Sequence, residues 1–551
     1  MNRTGNTEHG VVAATVIGGS VVVVALSGLT VWWVSAIAAA VLLAAATVKI
    51  NGRTLFRWGA DWVEFQVRRP AQARARARTP QVAEVTVAAG VCGIGAADGV
   101  LTAMIQLAPD LDLPTVVGDK TVYTEDTVPL ALIGDLLDQF GVDIDIDIIT
   151  TGRRLRAGGG YSMLYDQLIG AQPVVGDRLT WLVLRLHPER NLAVLARRGP
   201  VARTAPEALA SAAHRIAGRF RERGIAAHAL PAVALRDAVR VLHEGVELSA
   251  LREKWGSLAT AVPGRFVTSY VIDWNRLPGT DFDDCWTWNN GRTTVVLNYT
   301  GPESGPRALV RFIGPAMADV PGYLRLLGGC QSKALLASLP TGASMPALPA
   351  PQAGGAPAEL VARMAVAIGP SGQILGAISG QPRHTLALPL FDPAPYQPRR
   401  RAVDVHANLP VAQQIILRAM AVGADVEVHT ARPDRWRQLV AAVGDPQALR
   451  LADPDRQVDG GSAATIVVFD HVPPHSSGAP TTMTINDPGG PRRAAADLAI
   501  DQVGAAAVDV SIPMRTVRVD LIEPHGETSY LGGAPQESQA PRAVVPPAVP
   551  S

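Results

Sequence analysis

The sequence predicts a mixed α/β (α+β) protein: an N-terminal two-helix transmembrane hairpin, then two cytoplasmic α/β units and a disordered C-terminal tail. Three observations lead there. Residues Val11 to Val48 carry no charged side chain. From Val82 onward, strand-like and helix-like apolar periodicities alternate. A Pro/Ala/Gly-rich stretch and a Gly/Pro/Gln/Ser-rich end lack both periodicity and much charge, as linkers and disordered tails do. The boundaries that follow are 1–10 for an N-terminal tail, 11–49 for the hairpin and 50–81 for an amphipathic, basic membrane-exit segment. The first unit then spans 82–340, a linker 341–358, the second unit 359–524 and the tail 525–551.

The uncharged run is too long for one pass. As a helix it would extend ~57 Å, about twice the ~30 Å hydrocarbon core of a bilayer. Ser27-Gly28-Leu29-Thr30 interrupts it near the middle, so two helices and a short turn fit. Backbone groups in lipid must be satisfied internally, which favours such a hairpin. A signal peptide would need an apolar core of only ~7–15 residues. The small residues Gly18, Gly19, Ser20, Ser27 and Gly28 allow close backbone approach, either to partner helices or within the hairpin itself.

Orientation follows from the flanks. Lys49, Arg53, Arg57, Arg68, Arg69, Arg74, Arg76 and Arg78 follow the run, against Asp61 and Glu64; Arg3 and Glu8 precede it. Basic excess marks the cytoplasmic side, so the chain is expected in the inner (cytoplasmic) membrane, multi-pass, with its bulk in the cytoplasm. Leu55, Trp58, Trp62 and Phe65 recur at helical spacing. That stripe suits an interfacial helix, with Arg57, Arg68 and Arg69 toward lipid headgroups, or packing on a neighbouring domain or subunit.

In the first unit, Val85–Val87 and Leu101–Leu107 read as strands around a Gly93–Gly99 turn, and Pro129–Phe140 as a helix leading into the strand Val142–Ile149. Leu179–Leu186 and Leu192–Ala196 read as a strand pair. Thr204-Ala205-Pro206-Glu207 reads as a capping box opening a helix that Gly224 stops. Tyr270–Trp274 and Thr293–Tyr299 read as later strands. In the second unit, strands Val403–Val405, Val426–His429 and Thr465–Phe469 alternate with helices Val411–Val422 and Asp434–Val443. That order predicts parallel pairing in a three-layer arrangement.

Several function classes are excluded or weakened. A formal charge of +1 recruits no nucleic acid through a bulk field. Cys92, Cys285 and Cys330 are too few and scattered for a disulfide framework or zinc site. The chain has four lysines, Lys49, Lys120, Lys254 and Lys333, and none sits in a P-loop. Gly118-Asp119-Lys120-Thr121 comes nearest, but its aspartate would repel phosphates. The preference for arginine over lysine, with abundant Ala, Gly, Val and Pro, is the bias of a GC-rich actinobacterial genome. Gly93-Ile94-Gly95-Ala96-Ala97-Asp98-Gly99 ends wrongly for a dinucleotide fingerprint, and no H-E-x-x-H or G-x-S-x-G occurs. No catalytic residue, cofactor site or metal cage emerges. One alternative stays open: Asp143, Asp145 and Asp147 alternate along a strand and Asp281, Asp283 and Asp284 cluster in a loop. Such D-x-D pairs hold a divalent cation with a nucleotide sugar in glycosyltransferase-like enzymes; otherwise they are a solvated strand face and an acidic loop.

Three segments carry a resemblance. They are Val63-Glu64-Phe65-Gln66-Val67-Arg68-Arg69-Pro70; Leu326-Leu327-Gly328-Gly329-Cys330-Gln331 running to Ala337-Ser338-Leu339-Pro340; and Leu417-Arg418-Ala419-Met420-Ala421-Val422-Gly423-Ala424-Asp425-Val426, continued to Trp436. With the hairpin and the two α/β units, they make the chain resemble the EccE family of type VII (ESX) secretion membrane components. The resemblance implies a non-enzymatic subunit that stabilises a membrane complex exporting proteins. It also implies EccB, EccC and EccD and the lipid bilayer as partners, with EccC the motor. The family's soluble part is itself likened to a glycosyltransferase fold without the catalytic motifs.

Overall fold

The computed structural model describes residues 49–50, 53–118, 121–279, 281–288, 291–301, 305–343, 345, 355–452, 464–493, 495–523 and 526–531. The uncharged run, with Gly18, Gly19, Ser20, Ser27 and Gly28, lies outside them, as do 346–354 of the predicted linker and 532–551 of the predicted tail. Among the described residues no helix is long and apolar enough to cross a membrane.

The fold is mixed α/β, dominated among the described residues by two large sheets of twelve strands each. The first is antiparallel throughout. Its centre is β4 (Ile144–Arg153), flanked by β5 (Leu179–Leu186) and β7 (Arg292–Tyr299). Beyond β5 lie β3 (Val100–Leu107), β2 (Gly90–Ala97) and β1 (Gln81–Val87); beyond β7 lie β8 (Arg307–Gly314) and β6 (Phe266–Ile272). The central strands are buried on both sides because both faces are covered. Alternation sends Ile146, Ile148, Leu182, Leu184, Val295 and Leu297 into one core. It sends Ile149, Trp181, Val183 and Val296 into another. The long helix α3 (Val201–Glu222) covers the first face, and α4 (Ala232–Leu242) and α5 (Gln331–Ala337) the second.

The second sheet joins a parallel half to an antiparallel half. Strands β11 (Arg401–His406), β12 (Val426–Thr430), β13 (Leu449–Leu451), β14 (Ile466–Asp470), β15 (Thr481–Asn486) and β16 (Leu498–Gly504) run parallel in the order β13-β12-β14-β15-β11-β16. The predicted parallel pairing is therefore present, with α6 (Leu409–Ala421) and α7 (Asp434–Val443) as crossovers. The antiparallel half adds β17 (Ala507–Ile512), β18 (Arg515–Asp520), β9 (Gln373–Ile378) and β10 (Gln381–Leu388). It also takes in Thr115–Val117 and Val122–Tyr123, from a loop that follows β3 of the first sheet. A further short pair, Thr127–Pro129 with Ala365–Ala367, stitches the two parts again.

Five local expectations need correction. The glycine-rich stretch after Val87 is mostly strand β2, and the turn shrinks to Asp98-Gly99. Both residues have positive φ (51° and 78°), the two-residue hairpin geometry that Asp-Gly favours. Gly93 serves contact rather than turning: a Cβ there would lie 2.7 Å from the Ala232 backbone. The Pro129–Phe140 helix reduces to Ala131–Gly134, followed by turns. Leu192–Ala196 is a short helix, since five apolar residues suit either period. Helix α3 starts at Val201, a turn before the capping box, and the Thr204 hydroxyl bonds back to the Leu195 and Pro200 carbonyls. Finally, residues 526–531 of the expected disordered tail belong to the folded body, where Glu527 is fully buried.

Candidate functional site

The segment that leaves the predicted hairpin forms α1 (Leu55–Ala77), a helix of 23 residues. Its stripe does not act as one surface. Phe65 is only 6 % exposed, and its ring meets Trp255 edge-on at 5.5 Å. Of the interface candidates, Phe65 therefore faces protein and not lipid. Trp62 is exposed, together with Val63 and Val67. Arg68 is exposed and pairs with Glu64 one turn back. Exposed Arg69 sits 5.6 Å over the Phe65 ring. Arg57 and Trp58 lie in the first turn of α1, where side chains fall outside the description.

The other end of α1 is held by charge. Arg76 is 4 % exposed and faces Glu253, also 4 % exposed, at 3.6 Å. It donates to the Leu251 carbonyl at 2.9 Å and to the Ser332 hydroxyl. Glu253 accepts from the Ser332 backbone N–H at 2.8 Å. With its amide nitrogen turned to the carboxylate, Gln72 adds contacts of 2.8 and 3.2 Å. Burial is the main influence on the Arg76 guanidinium and lowers its pKa, the Glu253 charge raises it, and Arg69 lowers it slightly more.

The socket is the second of the segments quoted above. Gly328 and Gly329 lie flat against the Trp255 indole, where a Cβ would stand 2.5 and 3.0 Å from ring atoms. The Gly329 N–H also donates to the Trp255 carbonyl at 2.8 Å. Glycine is required here by close approach. Gln331 then bridges Ser269 of β6 through both its amide atoms, at 2.8 and 3.0 Å. At the far end of α5, the carbonyls of Ala337 and Leu339 accept from Arg185 at 3.1 and 2.9 Å, as does that of Thr341. Arg311, fully buried, holds the Ser338 hydroxyl. A continuous set of contacts thus runs from α1 through residues 326–341 into the central strands.

That linkage accounts for the acidic strand. Asp147 is buried and receives two bonds from Arg185, at 2.8 and 2.6 Å, and one from Asn298 at 2.6 Å. Asp145 meets His187 at 3.1 Å and Arg190 at 2.8 Å. Asp143 precedes the strand and engages Asn191 through its backbone. Ile144, Ile146 and Ile148 face the opposite core, as expected, but the Asp145 and Asp147 carboxylates are interior ion-pair partners and not a solvated face, and of the three only Asp143 is exposed. In the second acidic group, burial raises the Asp283 carboxyl to about 6, while Arg178 pulls it down. Among the described residues no three His, Cys, Asp or Glu side chains cluster to hold a metal. Burial also pushes the Cys92 and Cys285 thiols up to about 12, which disfavours the nucleophilic thiolate.

The third segment forms a second joint. Arg418 on α6 is buried against Glu527 at 3.2 Å and donates to the Ile374 and Leu375 carbonyls at 3.1 and 2.9 Å. Gln414 and Tyr161 also donate to Glu527, the former at 2.7 Å. Tyr161 belongs to α2 (Gly160–Ile169), contributed by the first part of the chain. Beside it, Arg156 pairs with Asp425 and donates to the Gly423 and Ala424 carbonyls at 3.1 and 2.9 Å. Sequence reading missed both joints. Their only linear trace was the resemblance itself, because no pattern marks an arginine that will be buried.

Comparison with known proteins gives consistent likenesses. The family model described as "Putative type VII ESX secretion system translocon, EccE" matches residues 174–272, from just before β5 to the end of β6. The ESX-1 secretion system protein EccE1 of Mycobacterium tuberculosis is 27 % identical over 77 % of this chain and 82 % of its own length. The ESX-2 protein EccE2 of the same species is 28 % identical over 64 % of each chain. The ESX-5 protein EccE5 of Mycobacterium marinum is 28 % identical over 39 % of this chain and 55 % of its own. With the family model seated on the central sheet and most of the chain aligned to EccE1, this chain is similar to the EccE proteins of ESX secretion systems.

Proposed function

We propose that the chain is a non-enzymatic structural subunit of a type VII (ESX) secretion complex in the inner membrane, with its bulk in the cytoplasm. The observation that carries this reading is the dock of α1. A helix leaving the membrane is clamped by a buried ion pair and an aromatic contact onto a segment that is itself bonded to the central sheet. Such a joint transmits position: the body is held at a set orientation to its anchor. The hairpin of residues 11–49 supplies the anchor, and its small residues pack against partner helices. EccB, EccC and EccD are the partners, and EccC hydrolyses ATP. Exposed Trp62, Val63 and Val67 give α1 an outward apolar face suited to the headgroup zone or a neighbouring subunit.

Full-length tagged protein extracted in mild detergent should elute as a very large particle together with other membrane proteins of the system. Elution as a monomer would overturn the reading. Protease added outside intact cells should spare the body; digestion of the bulk would reverse the assigned orientation. Asp143→Ala, at an exposed carboxylate, should leave secretion intact.

A further inference from the structure

Away from both joints, a cavity of about 430 Å³ opens at the N-terminal ends of the parallel strands β11 and β15. Its walls are Arg400, Arg401 and Ala402 on one side and the loop 474–480 with Thr482 on the other, closed by Arg493 and Asp497. The volume lies in the ordinary range of small-molecule sites, roughly 300–1,000 Å³.

The charges around it are unevenly satisfied. Arg399, just outside, pairs with Asp110 and Asp112, and Arg401 with Asp112 and the Leu111 and Pro389 carbonyls. Arg492 pairs with Asp501. By contrast, Arg400 and Arg493 have no carboxylate within ion-pair distance among the described residues. One Arg493 nitrogen reaches the Thr482 hydroxyl at 3.2 Å, which leaves most of its fork free. The one carboxylate in the wall among the described residues, Asp497, accepts from the Ala402 backbone N–H at 2.7 Å. Ser476, Ser477 and His475 complete a lining rich in groups that donate to an anion.

We infer that this cavity binds a phosphate-bearing ligand, gripped by Arg400 and Arg493 with the 476–477 hydroxyls in support. A guanidinium fork matches phosphate oxygens in pairs, and two forks with hydroxyls suit a group offering several acceptors better than a single carboxylate. The phosphate could belong to a soluble metabolite or to a phospholipid headgroup; the recognition chemistry is the same.

The test uses full-length protein in uncharged detergent and calorimetric titration with two probes. Sodium pyrophosphate represents the soluble source. Dioctanoyl phosphatidylglycerol represents the lipid source, with dioctanoyl phosphatidylcholine as its control. Arg400→Ala with Arg493→Ala should weaken binding by roughly 10- to 100-fold, the scale of lost hydrogen bonds to charged groups. Arg518→Ala, an exposed arginine paired with Asp509 elsewhere, should leave it unchanged. Pyrophosphate binding with that pattern supports a soluble ligand. Phosphatidylglycerol binding with that pattern, and none by phosphatidylcholine, supports a headgroup. The inference is overturned if neither probe binds, or if the double variant binds as the wild type or as Arg518→Ala does. Arg400 is exposed, so Arg400→Ala alone, expected to show a smaller loss, keeps the test open should the double variant misfold.

Discussion

Replacing Glu253 by alanine tests the coupling between α1 and the body. The change leaves Arg76 almost fully buried with its only carboxylate partner among the described residues gone, and strips the Ser332 N–H of its acceptor. Breaking a buried ion pair from one side costs about 3–5 kcal/mol. Arg76 keeps the Leu251 carbonyl and Ser332 hydroxyl, which draws the figure toward the lower end. The orphaned N–H adds about 1–3 kcal/mol. Against this, the Phe65–Trp255 contact retains roughly 2–4 kcal/mol from burial and edge-to-face geometry. The loss, ~4–6 kcal/mol in all, exceeds what that contact retains, so the dock should open while the sheets stay folded. Hydrogen–deuterium exchange on the full-length protein should show amides of residues 60–77 losing protection by roughly 100-fold or more, at ~1.4 kcal/mol per factor of ten. The sheet amides should be unchanged. Trypsin should cut after Arg74 and Arg76 in the variant and not in the wild type. Arg76→Met combined with Glu253→Leu should restore much of the protection, since no charge is then left buried. Protection in Glu253→Ala within a factor of about three of wild type would refute the reasoning. Loss of protection across the whole sheet would refute the claim that the dock opens locally.

Three further outcomes are expected. Glu527→Ala, which isolates Arg418 and removes the acceptor for Tyr161 and Gln414, should destabilise the second sheet by about 3–5 kcal/mol in denaturant titration; a change under ~1 kcal/mol would show the clasp to be idle. Gly328→Ala places a Cβ 2.5 Å from the Trp255 ring and should cost about 1–3 kcal/mol, with altered tryptophan fluorescence and easier trypsin cleavage in α1. Burial raises the Asp126 carboxyl to about 6, partly offset by backbone N–H groups and Arg178. Because the folded value lies above the unfolded one, its contribution is fully present below pH ~4 and is lost as pH rises through about 6. Asp126→Asn should therefore raise stability at pH 7.5 by as much as ~3 kcal/mol and change little at pH 4; equal effects at both would contradict the assignment.

Much of the second unit was legible because its signals are local. Short strands of three to six residues with an apolar core alternate with helices, and Gly423 and Gly444, both at positive φ, end those helices where the sequence places glycine. The first unit was less so. Leu192–Ala196 is too short for its period to separate helix from strand, and Asp98-Gly99 hid the true turn inside a longer glycine run. The strands Thr115–Val117 and Val122–Tyr123 join a sheet whose partner strand lies more than 250 residues later, at Thr385–Ala387. No window of sequence contains that pairing.

By itself, the order of residues determined the elements whose cause is near at hand: an uncharged run followed by arginines, the alternation that sorts Ile146 and Ile148 from Ile149, and the parallel β/α repeat. Tertiary structure decided what each charge does. Asp147 and Arg185 sit 38 residues apart in sequence, Arg76 and Ser332 256 apart, and Tyr161 and Glu527 366 apart. Periodicity tells which face of an element is apolar, because that follows from the geometry of one segment. Whether an acid on that face meets water, a metal or a guanidinium depends on which distant segment folds over it.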